Sequence, residues 1–209
     1  MPTFLGLLKE DDLAVKNVAL LMVYSAVHRS PQLVVGLMRE HILPSIHELA
    51  QLNLQRKIDL GPFKHTVDDA LPLRKAALNV FSTCLEKCPA SLDIPAFMPV
   101  IAKALGDVED IQLQTHTMVI AMCDRHSIPV VGAAETFVLP LEKTVNKKTG
   151  TKTGTELERV LEWKKSALRT MLAISKLEGS SSMRLFAEFV DRTKSSSKNH
   201  VLLDAVESE

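Results

Sequence analysis

The sequence predicts an all-α solenoid of antiparallel helix pairs with one short β-hairpin inserted inside a pair. Three observations predict it: a proline recurring after two apolar residues, a helix-start pattern downstream of each such proline, and a Gly-Pro turn between one proline and its helix start. The prolines are Pro44 after Ile42-Leu43, Pro99 after Phe97-Met98 and Pro140 after Val138-Leu139, with Pro2 read as a fourth. The helix starts are Val15-Lys16 with Ala19, Leu73-Arg74 with Ala77, Ile111-Gln112 with Thr115, and Trp163-Lys164 with Ala167. Each joins an apolar anchor and a polar residue to a small residue four positions after the anchor.

A proline in the first helix of a pair removes a backbone donor and crowds the preceding turn, so it bends that helix. Asp11-Asp12, Asp68-Asp69, and Asp107 with Asp110 precede three of the second helices, where carboxylates cap the free N–H groups and oppose the positive helix end. Small residues such as Ala19 and Ala77 let neighbouring helices approach closely. Together these features resemble HEAT repeats, whose helix pairs stack into a superhelix. The repeats are assigned to residues 1–178, and 179–209 to a helical or frayed tail.

The first pair begins at Pro2, in the middle of a helix. Phe4, Leu5, Leu7 and Leu8 are therefore expected to be partly uncovered, since a solenoid end needs a polar capping repeat. That expectation fits either a piece of a longer chain or one half of a split protein that docks on a separate N-terminal half. In the second and fourth pairs, the distance from proline to anchor exceeds that in the others by about 16 and about 11 residues. Both insertions fall in the turn between the two helices of a pair, and such turns share one rim of a solenoid, where insertions often serve binding.

The first insertion, 54–67, alternates Ile58, Leu60, then Phe63, His65 and Val67 around Gly61-Pro62, a β-hairpin signal. A packed loop covering the helix pair is the other reading of the pattern. The second insertion, 143–158, contains NKKTGTKTGTE and reads as a flexible, basic, solvated loop. It is no phosphate loop, because Thr155 follows Gly154 where a Lys-Ser/Thr pair is required and no strand precedes it. SSSMRLFAEFVDR and HVLLDAVESE read as short amphipathic or frayed segments, and the acidic finish reads as a native terminus.

Composition narrows the function. Lys plus Arg and Asp plus Glu number 25 each, so no global field favours nucleic acid or an anionic membrane. The longest apolar run, Val18 to Val27, is about half a bilayer span. With no signal segment and only three cysteines, the chain is expected to be soluble and intracellular. Cys84 and Cys88 lack further ligands at zinc spacing and read as buried thiols. No nucleophile–base constellation or carboxylate pair is apparent, so neither enzyme chemistry nor a cofactor is expected.

GPFKHTVDD, Gly61 to Asp69, followed by Leu73-Arg74-Lys75-Ala76-Ala77, resembles the C-terminal region of the cullin-associated, neddylation-dissociated proteins, the Cand or TIP120 family. Weaker similarity runs through LKEDDLAVKNVAL, LDIPAFMPVIAKAL and WKKSALRTM and fades after about Leu177. Ala70 departs from the family pattern, where glycine is expected.

The resemblance implies a non-enzymatic regulator that wraps a cullin–RING complex whose cullin is unneddylated. It implies, too, that the hairpin competes with the substrate-receptor adaptor at the cullin's N-terminal end and so promotes receptor exchange in the cytoplasm and nucleus. On this reading Phe63 is the apolar anchor with Ile58 and Leu60 beside it. Lys64, His65 and Thr66 supply polar contacts, and Gly61-Pro62 set the tip. The alternative is a HEAT-repeat scaffold of another kind, for transport or for a phosphatase, which has no reason for this hairpin.

Overall fold

The computed structural model describes residues 3–60 and 63–208, and at 3, 4, 59, 60 and 63–65 it describes the backbone alone. Pro2 and the Gly61-Pro62 turn thus lie outside the described residues. Among those residues the regular structure is helical except for a single two-stranded sheet, the architecture of a helical-repeat solenoid with a small hairpin. The chain divides into two compact units, Met1–Asp93 and Ile94–Glu209.

In the first unit, α1 (Thr3–Gly6) and the helical turn Leu7–Lys9 fold back on α2 (Leu13–Arg29). This corrects the expectation of a partly uncovered start at Leu5 and Leu8, which are buried because the short segment turns inward against α2; Leu7 is half-buried, and the Phe4 side chain lies outside the described residues. The exposed apolar surface lies instead on α2 itself, where Val18, Leu21 and Met22 are 54%, 52% and 44% exposed. A π-helical turn, Met38–Ile42, then gives way to α3 (Leu43–Leu49) at Pro44, so the backbone changes pitch where the missing N–H falls. The strands β1 (Gln55–Leu60) and β2 (Phe63–Asp68) follow, and α4 (Leu71–Lys87) packs along both α2 and α3.

The second unit holds α5 (Ile94–Ala104), α6 (Glu109–Arg125), α7 (Ser127–Val145), α8 (Gly154–Ser175), α9 (Arg184–Ser195) and α10 (His200–Glu207). Helices α5, α7 and α9 stack in one row, and α6, α8 and α10 in the other. Pro99 lies inside α5 and Pro140 inside α7, equivalent places in that row. Helix α9 packs on α7 and α8, and α10 packs on α8, with Phe186 and Phe189 of α9 buried. Burying each such ring contributes about 1.5–3 kcal/mol. The non-helical part of the basic loop spans only 146–153, since Thr144 and Val145 are buried and continue α7.

Neighbouring pairs in this unit touch repeatedly at nearly the same offset. Arg159 Nε donates to Glu109 Oε1 at 2.7 Å, His116 Nδ1 shares a hydrogen bond with Ser166 Oγ at 3.0 Å, and Arg192 Nη2 donates to Glu142 Oε1 at 2.9 Å. Each pair is 50 residues apart. A near-constant offset is what stacked repeats produce when one helix pair is translated onto the next.

The four small positions, Ala19, Ala77, Thr115 and Ala167, are all completely buried. Each lies on a second helix, and α2 stacks on α4 and α6 on α8. The aspartates behave less uniformly than their spacing suggests. Asp12 caps α2, its Oδ1 accepting from Ala14 N at 2.7 Å and Val15 N at 3.1 Å. Asp68 and Asp107 do not cap: α4 and α6 begin after Ala70 and Val108, which make no side-chain cap. Asp68 is committed to an ion pair instead, and Asp107 Oδ1 accepts from the adjacent Val108 N.

Candidate functional site

The hairpin leaves the helices between α3 and α4, and its base is clamped by two ion pairs. Arg74 Nη2 lies 2.7 Å from Asp68 Oδ2, with both side chains nearly buried. Arg74 Nη1 also donates to the Leu52 carbonyl at 2.9 Å. One guanidinium thereby ties α4 to both ends of the insertion. Outside it, Arg56 Nε donates to Asp69 Oδ2 at 2.5 Å, and Asp69 N donates to the Leu54 carbonyl at 3.2 Å, extending the ladder by one rung. The hydrogen bond from Arg74 holds the Asp68 carboxyl below its ordinary pKa, against the opposing effect of burial.

A two-stranded ribbon is marginal alone in water, so this base is what allows it to stand. Its register pairs Arg56 with Val67, Ile58 with His65, and Leu60 with Phe63. Because alternate residues share a face, Ile58, Leu60, Phe63, His65 and Val67 hold positions on one face. Lys57, Asp59, Lys64 and Thr66 hold positions on the other. Along the described part Gln55, Arg56, Lys57 and Thr66 are exposed, while Ile58 and Val67 are half-buried. Of the residues singled out in the sequence, the structure thus brings Ile58, Leu60, Phe63, Lys64, His65 and Thr66 into one paired ribbon, and Gly61-Pro62 lie outside the described residues.

Ala70, the position at odds with the family pattern, is buried with φ −88° and ψ −8°. That is right-handed helical space, so alanine sits there without strain. Its N–H donates to Asp68 Oδ1 at 3.1 Å, which fixes the strand-to-helix corner. Sequence reasoning missed Arg56 and Arg74 as clamp residues. The available signal was Arg74's place directly after the Leu73 anchor, the place Gln112 takes after Ile111. Gln112 is also buried, and its Nε2 donates to the Asp107 carbonyl at 2.7 Å, again in the turn that precedes its helix. In both pairs the residue after the anchor satisfies the turn.

The two strands stand between α3 and α4 of a helical frame, which defines the class by its architecture: a helical-repeat protein with an inserted hairpin. The TIP120 family, described as TATA-binding protein interacting (TIP20), matches residues 34–194, and the chain belongs to this family. It is 36% identical over 176 residues to cullin-associated NEDD8-dissociated protein 2 of Rattus norvegicus, covering 82% of this chain and 14% of that protein. It is 32% identical over 194 residues to cullin-associated NEDD8-dissociated protein 1 of Dictyostelium discoideum, covering 91% of this chain and 16% of that one. A protein of Emericella nidulans named as the C-terminal part of cullin-associated NEDD8-dissociated protein 1 is 31% identical over 114 residues, covering 54% of this chain and 11% of that one. The chain therefore spans about a sixth or less of the curated relatives it matches.

Proposed function

We propose that the chain is a cullin-binding regulator of cullin–RING ubiquitin ligases, acting through its hairpin and without chemistry of its own. It binds a cullin that carries no NEDD8, near the site where the substrate-receptor adaptor docks, and favours receptor exchange by competing for that site. The observation that carries this reading is the ribbon itself: its base is locked by Arg74–Asp68 and Arg56–Asp69, and its apolar positions alternate on one face. Such a ribbon offers a partner a preformed wedge whose ordering entropy is already spent on folding. Phe63 is the anchor, flanked by Ile58 and Leu60, with Lys64, His65 and Thr66 making polar contacts and Gly61-Pro62 shaping the tip. The exposed Val18, Leu21 and Met22 of α2 take a preceding helix pair, either of a longer chain or of a separate N-terminal half.

The test is equilibrium binding to a purified cullin–RING complex, unmodified or NEDD8-modified, with the receptor adaptor as competitor. The chain is used alone and joined to the preceding repeats. Binding to the unmodified form, displaced by adaptor and weakened about 30-fold by Phe63→Ala, is the expected result for a central aromatic anchor. Binding untouched by hairpin substitutions moves the contact elsewhere. No binding in either format leaves a helical-repeat scaffold of another kind, for transport or for a phosphatase.

A further inference from the structure

A basic groove in the second unit is separate from the hairpin and unused by the reading above. The loop after α7, one face of α8 and the turn into α10 enclose a cavity of about 780 Å³. Four lysines from these three places line it: Lys147 and Lys148 from the loop, Lys164 from α8, and Lys198 from the turn. No Asp or Glu lines it, and none of the four lysines pairs with a carboxylate among the described residues. In a chain whose charges balance, this is a local excess of positive charge converging on one concavity.

The rest of the lining is largely apolar. Leu161 is half-buried in the wall and Val201, at 78% exposure, stands at the rim. Desolvation holds the Lys164 ammonium below its ordinary pKa, so an anion placed beside it relieves a burial cost already present. Lys147 is steadied from behind, its Nζ 4.4 Å from the centre of the Trp163 ring. A free phosphate fits the charge but leaves most of the volume and the leucine–valine wall unfilled. A nucleic acid prefers aromatic platforms, and the groove has none in its lining.

We infer that this groove docks an acidic peptide segment of a partner protein, whose carboxylates meet Lys147, Lys148, Lys164 and Lys198 while one apolar side chain rests on Leu161 and Val201. Opposite charge here sets orientation and on-rate, and the apolar contact prolongs the complex.

The experiment is fluorescence anisotropy with a labelled dodecapeptide of Asp and Glu carrying one central leucine. The control is the same peptide with glycine in place of leucine. Expected are saturable binding that weakens with salt, a weaker control, and a loss of about tenfold for the Lys148→Glu, Lys198→Glu double variant. Both positions are exposed, so the fold tolerates them, and the Lys148→Arg, Lys198→Arg pair should bind as the native chain does. Phe63→Ala should leave this binding unchanged, which separates it from the hairpin. Equal binding by the native chain and the Glu variant overturns the proposal. So does equal binding of the glycine control, displacement by millimolar inorganic phosphate, or tighter binding of an oligothymidylate.

Discussion

Arg74 and Asp68 form an ion pair of 2.7 Å in which the side chains retain only 5% and 12% of their exposure, and it joins α4 to the last residue of β2. Breaking a buried pair from one side strands the other charge, which costs about 3–5 kcal/mol. Arg74→Met removes the charge while keeping the apolar stem, so Asp68 keeps the Ala70 N–H but loses its counter-charge, and the Leu52 carbonyl loses the guanidinium donor. Urea denaturation should show a loss within that range, and hydrogen exchange should quicken in 55–68 more than in α6 or α8. A variant as stable as the native chain, with unchanged hairpin exchange, would contradict the clamp.

Gln112 joins three elements. Its Oε1 accepts from Trp163 Nε1 at 2.9 Å and from Thr144 Oγ1 at 2.7 Å, and its Nε2 donates to the Asp107 carbonyl. Gln112→Leu keeps the volume but takes the acceptor from the buried Trp163 indole N–H. At about 1–3 kcal/mol for a stranded buried donor, the variant should lose a similar amount of stability. Trp163 is the single tryptophan, so its emission reports the site directly. An unshifted native spectrum together with unchanged stability would show that water replaces the glutamine.

The helix pairs were legible because their markers are local. Pro44, Pro99 and Pro140 fall within or at the start of first helices, and Ala19, Ala77, Thr115 and Ala167 are completely buried on the second helices. The hairpin was legible for the same reason, since Ile58, Leu60, Phe63 and His65 alternate around a turn. The clamp was not, because Asp68-Asp69 before a helix has the same local pattern as a cap, and only the fold reveals that Arg74 and Arg56 claim those carboxylates. Helices α9 and α10 were legible only as short amphipathic or frayed segments, because neither carries the proline that marked the pairs. The 50-residue offset was hidden by unequal turns: proline and anchor spacings vary widely, whereas the side chains that meet across the stack are 50 or 51 residues apart.

Cys84, Cys88 and Cys123 are buried, and burial pushes all three thiols above their ordinary range, Cys123 to about 11. Only the thiolate is nucleophilic, so at pH 8 a thiol at that value is ionised to about one part in a thousand. Aromatic disulfide reagent should therefore label none of them within minutes in the native chain, and all three at once in guanidinium. A rapid native phase would locate an opening of α4 or α6.

His116 is fully buried between α6 and α8, with Nδ1 on Ser166 Oγ and Nε2 without a partner among the described residues. Burial pulls its pKa down to about 4, from an ordinary value of 6.5. The folded state therefore holds the neutral ring, and its contribution is intact above pH 6.5. As pH falls from 6.5 toward 4 the unfolded chain takes up a proton that the folded chain refuses, so stability declines by about 1.4 kcal/mol per unit. From pH 7 to 5 the loss from this one group is about 2 kcal/mol. His116→Gln abolishes that share of the slope whatever it does to stability at neutral pH, because glutamine has nothing to titrate. Urea unfolding of both proteins at pH 7, 6 and 5 measures the difference. Parallel pH profiles would mean that the ring is already charged in the folded chain or reaches water there.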